Sequence, residues 1–165
     1  MIYSRSTQYA IRAMAFLATM ESGKYVRARD IALATGVPLP FFFKITQALA
    51  RSGLVQTMRG RGGGICLTRP ARRITLEEIV VSVHGDDFSD KCLLGLPHCN
   101  DAVPCPVHHA WKDLRTKMSA ALNNRTLEDL ALSLTRKERR SARRKGDSRS
   151  SRPRTRNRKA SAPST

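Results

Sequence analysis

Apolar residues recur at spacings of three and four along the first third of the chain, and that period predicts helices. Ala10, Ala13, Met14, Leu17 and Ala18 mark a first helix over 6–20. After a break at Gly23, residues 28–35 form a second, short helix closed by Gly36. A third runs from about Pro40 to Ser52, with Phe42, Ile45 and Leu49 facing inward. Proline is tolerated in its first turn, where the missing N–H would have no helical partner. Helix, glycine turn, helix is the helix-turn-helix pattern. The pattern then changes. Residues 54–58 and 65–68 read as two short strands flanking the turn Arg59-Gly-Arg-Gly-Gly-Gly64. A two-stranded ribbon directly after a presumed recognition helix is a wing. Its tip sets two guanidiniums on a backbone with little side-chain bulk, which suits phosphates or a narrow minor groove.

Thr75-Leu-Glu-Glu78 is a capping box and predicts a fourth helix ending near His84. Residues 85–104 follow no period and hold Asp86, Asp87, Gly95, Pro97 and Pro104. A loop of that length in a compact domain is usually functional or disordered, and this one carries Cys92 and Cys99 and leads directly into Cys105. A long helix then begins with Pro106 as its first residue. Its apolar stripe is Val107, Ala110, Trp111, Leu114, Met118, Ala121 and Leu122. Thr126-Leu-Glu-Asp129 opens a last helix with Leu127, Leu130, Ala131 and Leu134. Because the winged part already has a core, the stripe calls for a second copy of the chain. Burying Val107, Trp111, Leu114 and Met118 contributes on the order of 8 kcal/mol, against an association cost of ~4–15 kcal/mol. The first and last helices are therefore expected to join the dimer contact.

The expected fold is mainly α: a winged helix-turn-helix with a two-stranded β wing and a long C-terminal dimerisation helix. Its parts are a DNA-binding domain over 1–85, a cysteine-bearing binding loop with dimerisation helices over 86–135, and a basic tail over 136–165. The tail has no apolar period and is expected to be disordered.

Charge sharpens this picture. The chain has 165 residues and a formal net charge of +17. Residues 136–165 hold 13 Lys/Arg against 2 Asp/Glu, net +11, which leaves +6 on 1–135. Both parts favour a polyanionic partner, the tail most strongly. No apolar run approaches the ~20 residues needed to span a bilayer. The N-terminus lacks the apolar stretch of a signal peptide. The expected location is the cytoplasm, with no membrane partner. Cysteines there are more often metal ligands or free thiols than disulfides.

The cysteine loop reads Cys92-x6-Cys99-x5-Cys105-x2-His108. Three thiolates and an imidazole suit zinc or the iron of an iron–sulfur cluster. Structural zinc sites usually contain close pairs with two to four intervening residues, and this loop has none. Long spacing in a Gly/Pro loop better fits ligands wrapped around a multi-atom cluster. His108 and His109 both stand near Cys105; His108 borders the apolar stripe and His109 lies nearly opposite. Cys66, on the second wing strand, is expected to be a small packing residue, His84 to end the fourth helix, and His98 to lie beside the ligands at most. A nucleophile–base pair of Cys105 and His108 would lack an orienting third group, so an enzyme is not expected.

These motifs together resemble the Rrf-type (IscR/NsrR) family of iron–sulfur winged-helix regulators over residues 1 to about 135. The resemblance rests on Tyr9-Ala10, Lys44-Ile45, Ser52-Gly-Leu-Val55, Arg59-Gly-x-Gly-Gly-Gly64 and the three-cysteine loop leading into Trp111. It implies a homodimer on near-palindromic double-stranded DNA operators, with the third helix in the major groove and the wing near the minor groove. It implies a cluster on Cys92, Cys99 and Cys105 that controls DNA binding in response to iron–sulfur supply, redox stress or nitric oxide, and a role as repressor. Branches of the family with a histidine ligand place it where this chain has His108, and these hold a 2Fe–2S cluster. The nitric-oxide-sensing branch takes a carboxylate from the first helix, where this chain has the neutral Gln8; 2Fe–2S is therefore favoured over 4Fe–4S. The loop is one residue longer between its first two cysteines than in IscR-like members. The start of the third helix departs as well, with Pro38, Pro40 and Phe43 in place of polar residues. The candidate DNA contacts are Pro40, Phe43, Lys44, Gln47, Arg59 and Arg61. The alternative is a zinc-dependent or cluster-free winged-helix regulator of the same fold.

Overall fold

A computed structural model describes residues 3–85, 92–96 and 100–137. The chain divides into two compact units, Met1–Leu132 and Ser133–Thr165. The basic tail beyond residue 137, predicted to be disordered, lies outside the described residues.

The elements follow the predicted order. Helix α1 spans Arg5–Ala18, α2 Ala28–Thr35 and α3 Leu39–Arg51; strands β1 and β2 span Val55–Met58 and Gly64–Leu67. A short 3-10 turn at Ala71–Arg73 leads into α4, Leu76–His84, and α5 covers His108–Asn123. Residues 127–137 are helical and form α6. The chain turns through 112° between α2 and α3, the angle of a helix-turn-helix. Ser4 caps α1 by accepting from the Thr7 amide at 3.2 Å. The Thr75–Glu78 capping box forms in full, with the Thr75 amide donating to Glu78 Oε2 at 2.8 Å and the Glu78 amide to Thr75 Oγ1 at 3.2 Å. His84 ends α4.

One apolar cluster holds the unit together. Ala10 and Met14 of α1, Ile31 of α2, Phe42 and Leu49 of α3, and Ile79 of α4 are all buried in it. Leu127 joins them, fully buried, and Ala131 is buried too. The start of α6 is tied down by backbone as well. The Leu127 amide donates to Ile74 O at 2.8 Å, and the Leu76 amide to Arg125 O at 2.9 Å. The predicted stripe of α6 is therefore split: Leu127 and Ala131 are buried in their own chain and Leu130 packs against its core, while Leu134 is exposed.

The start of α5 also differs from the expectation. Pro106 precedes the helix instead of beginning it. The His108 amide donates to Cys105 O at 3.0 Å, which closes a tight turn over 105–108, and the Trp111 amide reaches Val107 O at 2.9 Å. Val107, not Cys105, is the N-cap. A prolyl φ serves such a turn as well as a first helical turn, so the sequence alone does not separate the two.

Candidate functional site

The third helix presents two opposite faces. Phe42, Ile45, Thr46 and Leu49 are buried. Pro40, Phe43, Lys44 and Gln47 are all exposed, and their spacing places them along one stripe of the helix. Phe43 is 51% exposed, so it is not a packing residue of the chain. The neighbouring Phe41 leans on Tyr9 of α1, ring centroids 6.2 Å apart, which braces the start of α3 against the scaffold.

The wing is pinned at its base and open at its tip. Antiparallel pairing runs from Val55↔Leu67 to Met58↔Gly64. On its other edge Ile65 pairs with Val26, through amide bonds of 2.8 and 3.0 Å, so three segments meet here where the sequence predicted two. The approach is close enough that a Cβ on Gly64 would lie 2.4 Å from Val26 O. At the tip Gly62 takes φ +82°, a conformation that glycine adopts without steric penalty. Arg59 and Arg61 are exposed there. Cys66 is buried on β2 and accepts from Gln56 Nε2 at 3.2 Å, in keeping with a small packing residue.

The cysteine loop meets α5 at His108. Cys92 and Cys105 are half-buried; Cys99, with His98, lies outside the described residues. The segment beside Cys92 exposes Leu93, Leu94 and Leu96. His108 is buried, 4% exposed, whereas His109 is exposed. Their rings meet edge to face at 5.3 Å. Nε2 of His108 lies 2.9 Å from Asp101 Oδ1, and Lys112 Nζ donates to Oδ2 of the same carboxylate at 2.7 Å. Lys112 first, and then His108, holds the Asp101 carboxyl down to about 2 from its ordinary 3.8, so it is an anion near neutral pH. Ligand atoms of Asp101, His108 and His109 all fall within 4.8 Å of one another. Sequence reasoning did not single out Asp101 or Lys112. The only cue is that Lys112 stands four residues after His108, one helical turn on.

Along α5 the apolar stripe is only partly covered: Trp111 and Met118 are half-buried and Leu114 is 47% exposed. Ser119 hydrogen-bonds Glu77 and ties the helix to α4. A cavity of about 610 Å³ nonetheless opens between the two helices, floored by Val80, Val81 and Leu122.

The Rrf2 family, described as iron-dependent transcriptional regulators, matches residues 3–132 of this chain. The chain belongs to the Rrf2 family. IscR of Escherichia coli O1:K1 / APEC, an HTH-type transcriptional regulator, is 31% identical over 123 residues, covering 74% of this chain and 75% of the relative. The solved T. potens IscR superposes with a TM-score of 0.63 at 24% identity, over 79% of this chain and 86% of that one. CymR, the global cysteine regulator of B. subtilis, gives 0.65 at 22% identity, over 79% and 95%. The fold is thus the winged helix-turn-helix of this family. The protein is a DNA-binding transcription regulator and not an enzyme. Among the described residues no helix is long and apolar enough to cross a membrane.

Proposed function

We propose that this Rrf2-family regulator is a homodimeric, cytoplasmic repressor whose operator affinity is set by an iron–sulfur cluster, 2Fe–2S, on Cys92, Cys99, Cys105 and His108. The observation that carries the reading is the junction of loop and helix. Half-buried Cys105 and the buried imidazole of His108 stand where the cysteine loop enters α5, joined through the backbone by the His108 amide donating to Cys105 O, and half-buried Cys92 lies further up the same loop. These donors fit a thiolate-rich cluster with one imidazole, in which a weaker nitrogen donor makes one position the labile one. When bound, the cluster supplies an iron centre whose charge and ligation respond to redox state and nitric oxide.

The chain's own residues do the rest. The winged part over 1–85 reads DNA: Pro40, Phe43, Lys44 and Gln47 face the major groove, with Phe43 able to meet a thymine methyl. Arg59 and Arg61 on the wing meet phosphates or the minor groove. Residues 86–135 carry the sensor loop and the dimer contact. There Trp111, Leu114 and Met118 pack against a second copy and cover the open side of α4–α5. The tail over 136–165 adds sequence-independent phosphate contact.

Anaerobic purification with an absorption spectrum and iron and sulfide assay tests the assignment. Two iron and two sulfide per chain support it, and loss of both in Cys92→Ala and Cys105→Ala places the ligands. Zinc without sulfide favours the second reading, a zinc-dependent regulator of the same fold, which the convergence of Asp101, His108 and His109 within 4.8 Å supports.

A further inference from the structure

His108 takes a carboxylate partner from the cysteine loop itself. Asp101 stands two residues after Cys99 and four before Cys105, so its 2.9 Å contact with His108 Nε2 ties the loop to the first turn of α5. Lys112 fixes the carboxylate from the other side, donating to Oδ1 at 3.0 Å and to Oδ2 at 2.7 Å. The imidazole is buried while the carboxylate is 65% exposed. The ring is thus held at one nitrogen by an anion that is itself held by an ammonium.

A neutral imidazole has one N–H and one lone pair, and an ionised carboxylate only accepts. The contact therefore puts the proton of His108 on Nε2 and the lone pair on Nδ1. Histidines that ligate metals characteristically donate their other N–H to a carboxylate or carbonyl, which fixes the tautomer and strengthens the donor nitrogen.

We propose that Asp101 is the positioning residue of the cluster's histidine ligand, selecting Nδ1 of His108 as the ligating nitrogen, with Lys112 holding Asp101 in place. The proposal rests on the reading of His108 as a ligand and adds which atom binds and what orients it. Asp101 has a second consequence. A negative charge on the far side of the ring disfavours adding an electron to the cluster, so removing that charge raises the reduction potential. Asp101→Asn keeps an oxygen that can accept from Nε2 but loses the charge; Asp101→Ala loses both. The competing arrangement has Asp101 swing into solvent and Nε2 bind instead. Its exposure makes that swing inexpensive, so the test must separate the two nitrogens.

The experiment uses the full-length, anaerobically purified protein, labelled with 15N at Nδ1 alone or at Nε2 alone of histidine. Pulsed EPR of the dithionite-reduced cluster reads the couplings. The strong, directly bonded coupling is expected from the Nδ1 label. Both Asp101 variants should raise the midpoint potential, and Asp101→Ala should release iron to a chelator about tenfold faster or more, with Asp101→Asn recovering much of that loss. A strong coupling from the Nε2 label overturns the proposal, as does an Asp101→Ala protein with unchanged potential and release rate. If His108→Ala is labile while Asp101→Ala is normal, only the positioning role falls. If His108→Ala keeps the wild-type spectrum and stability, or no cluster is present at all, the ligand reading falls and takes the proposal with it.

Discussion

Replacing Gly64 by Ala examines how firmly the wing is anchored. The added methyl would sit 2.4 Å from Val26 O and 2.6 Å from Val26 C, and both are backbone atoms that cannot rotate away. Val26 and β2 must move apart by roughly 1 Å to reach ordinary contact. That separation breaks the two amide bonds between Val26 and Ile65, each worth about 0.5–1.5 kcal/mol net. The gross cost is therefore about 1–3 kcal/mol, offset by about 0.4–1 kcal/mol from the stiffer unfolded chain. A net loss of up to about 2.5 kcal/mol, read as a lower urea midpoint at unchanged slope, is the expected outcome. Gly62→Ala is the control: it pays for φ +82° but meets no atom within 4 Å, so it should leave the Val26–Ile65 bridge intact. Amide hydrogen exchange separates the two, because Gly64→Ala should deprotect the Ile65 amide and Gly62→Ala should not. A Gly64→Ala protein with wild-type stability and a protected Ile65 amide would refute the close-approach argument.

Three further outcomes follow from the same surfaces. Arg59→Ala should weaken operator binding by about 1–3 kcal/mol, roughly 5- to 150-fold, in a gel-shift titration near physiological salt; unchanged affinity removes the wing from the interface. Truncation after Thr135 should flatten the log–log salt dependence by about 4–5 units if about five tail charges meet phosphates, with preference for operator over random DNA retained; loss of that preference would assign the reading to the tail. Leu114→Arg should give monomers in sedimentation and lower operator affinity by about 100-fold or more, whereas a folded dimer would rule out α5 as the main contact.

The sequence carried the fold wherever local chemistry decides it. The capping boxes at Thr75 and Thr126 and the glycine wing are short-range signals, and their elements stand within a residue or two of the predicted bounds. It failed where a tertiary contact decides. Nothing local tells that Leu127 and Ala131 belong to the chain's own core, because their helical period is the same for either partner. The Val26–Ile65 bridge joins segments almost forty residues apart, and only the obligatory glycine at 64 hints at a backbone approaching there. Pro106 illustrates a third limit, since its φ fits the turn before a helix as well as the helix itself. At the candidate site the thiols and His108 were visible as residue types at a spacing. Asp101 was not, because a carboxylate gains its role only when the Cys105–His108 turn folds the loop back toward α5.

In the proposed function one chain reads DNA with its winged part and sets its affinity through the cysteine loop. Operator binding by a single anaerobic preparation, measured by fluorescence anisotropy before and after the cluster is removed with chelator and then rebuilt, tests this most directly. The expected change is at least about tenfold, equivalent to about 1.4 kcal/mol; it reverses on reconstitution and is absent in Cys105→Ala. Identical operator affinity with and without the cluster, in a protein that holds one, would contradict it.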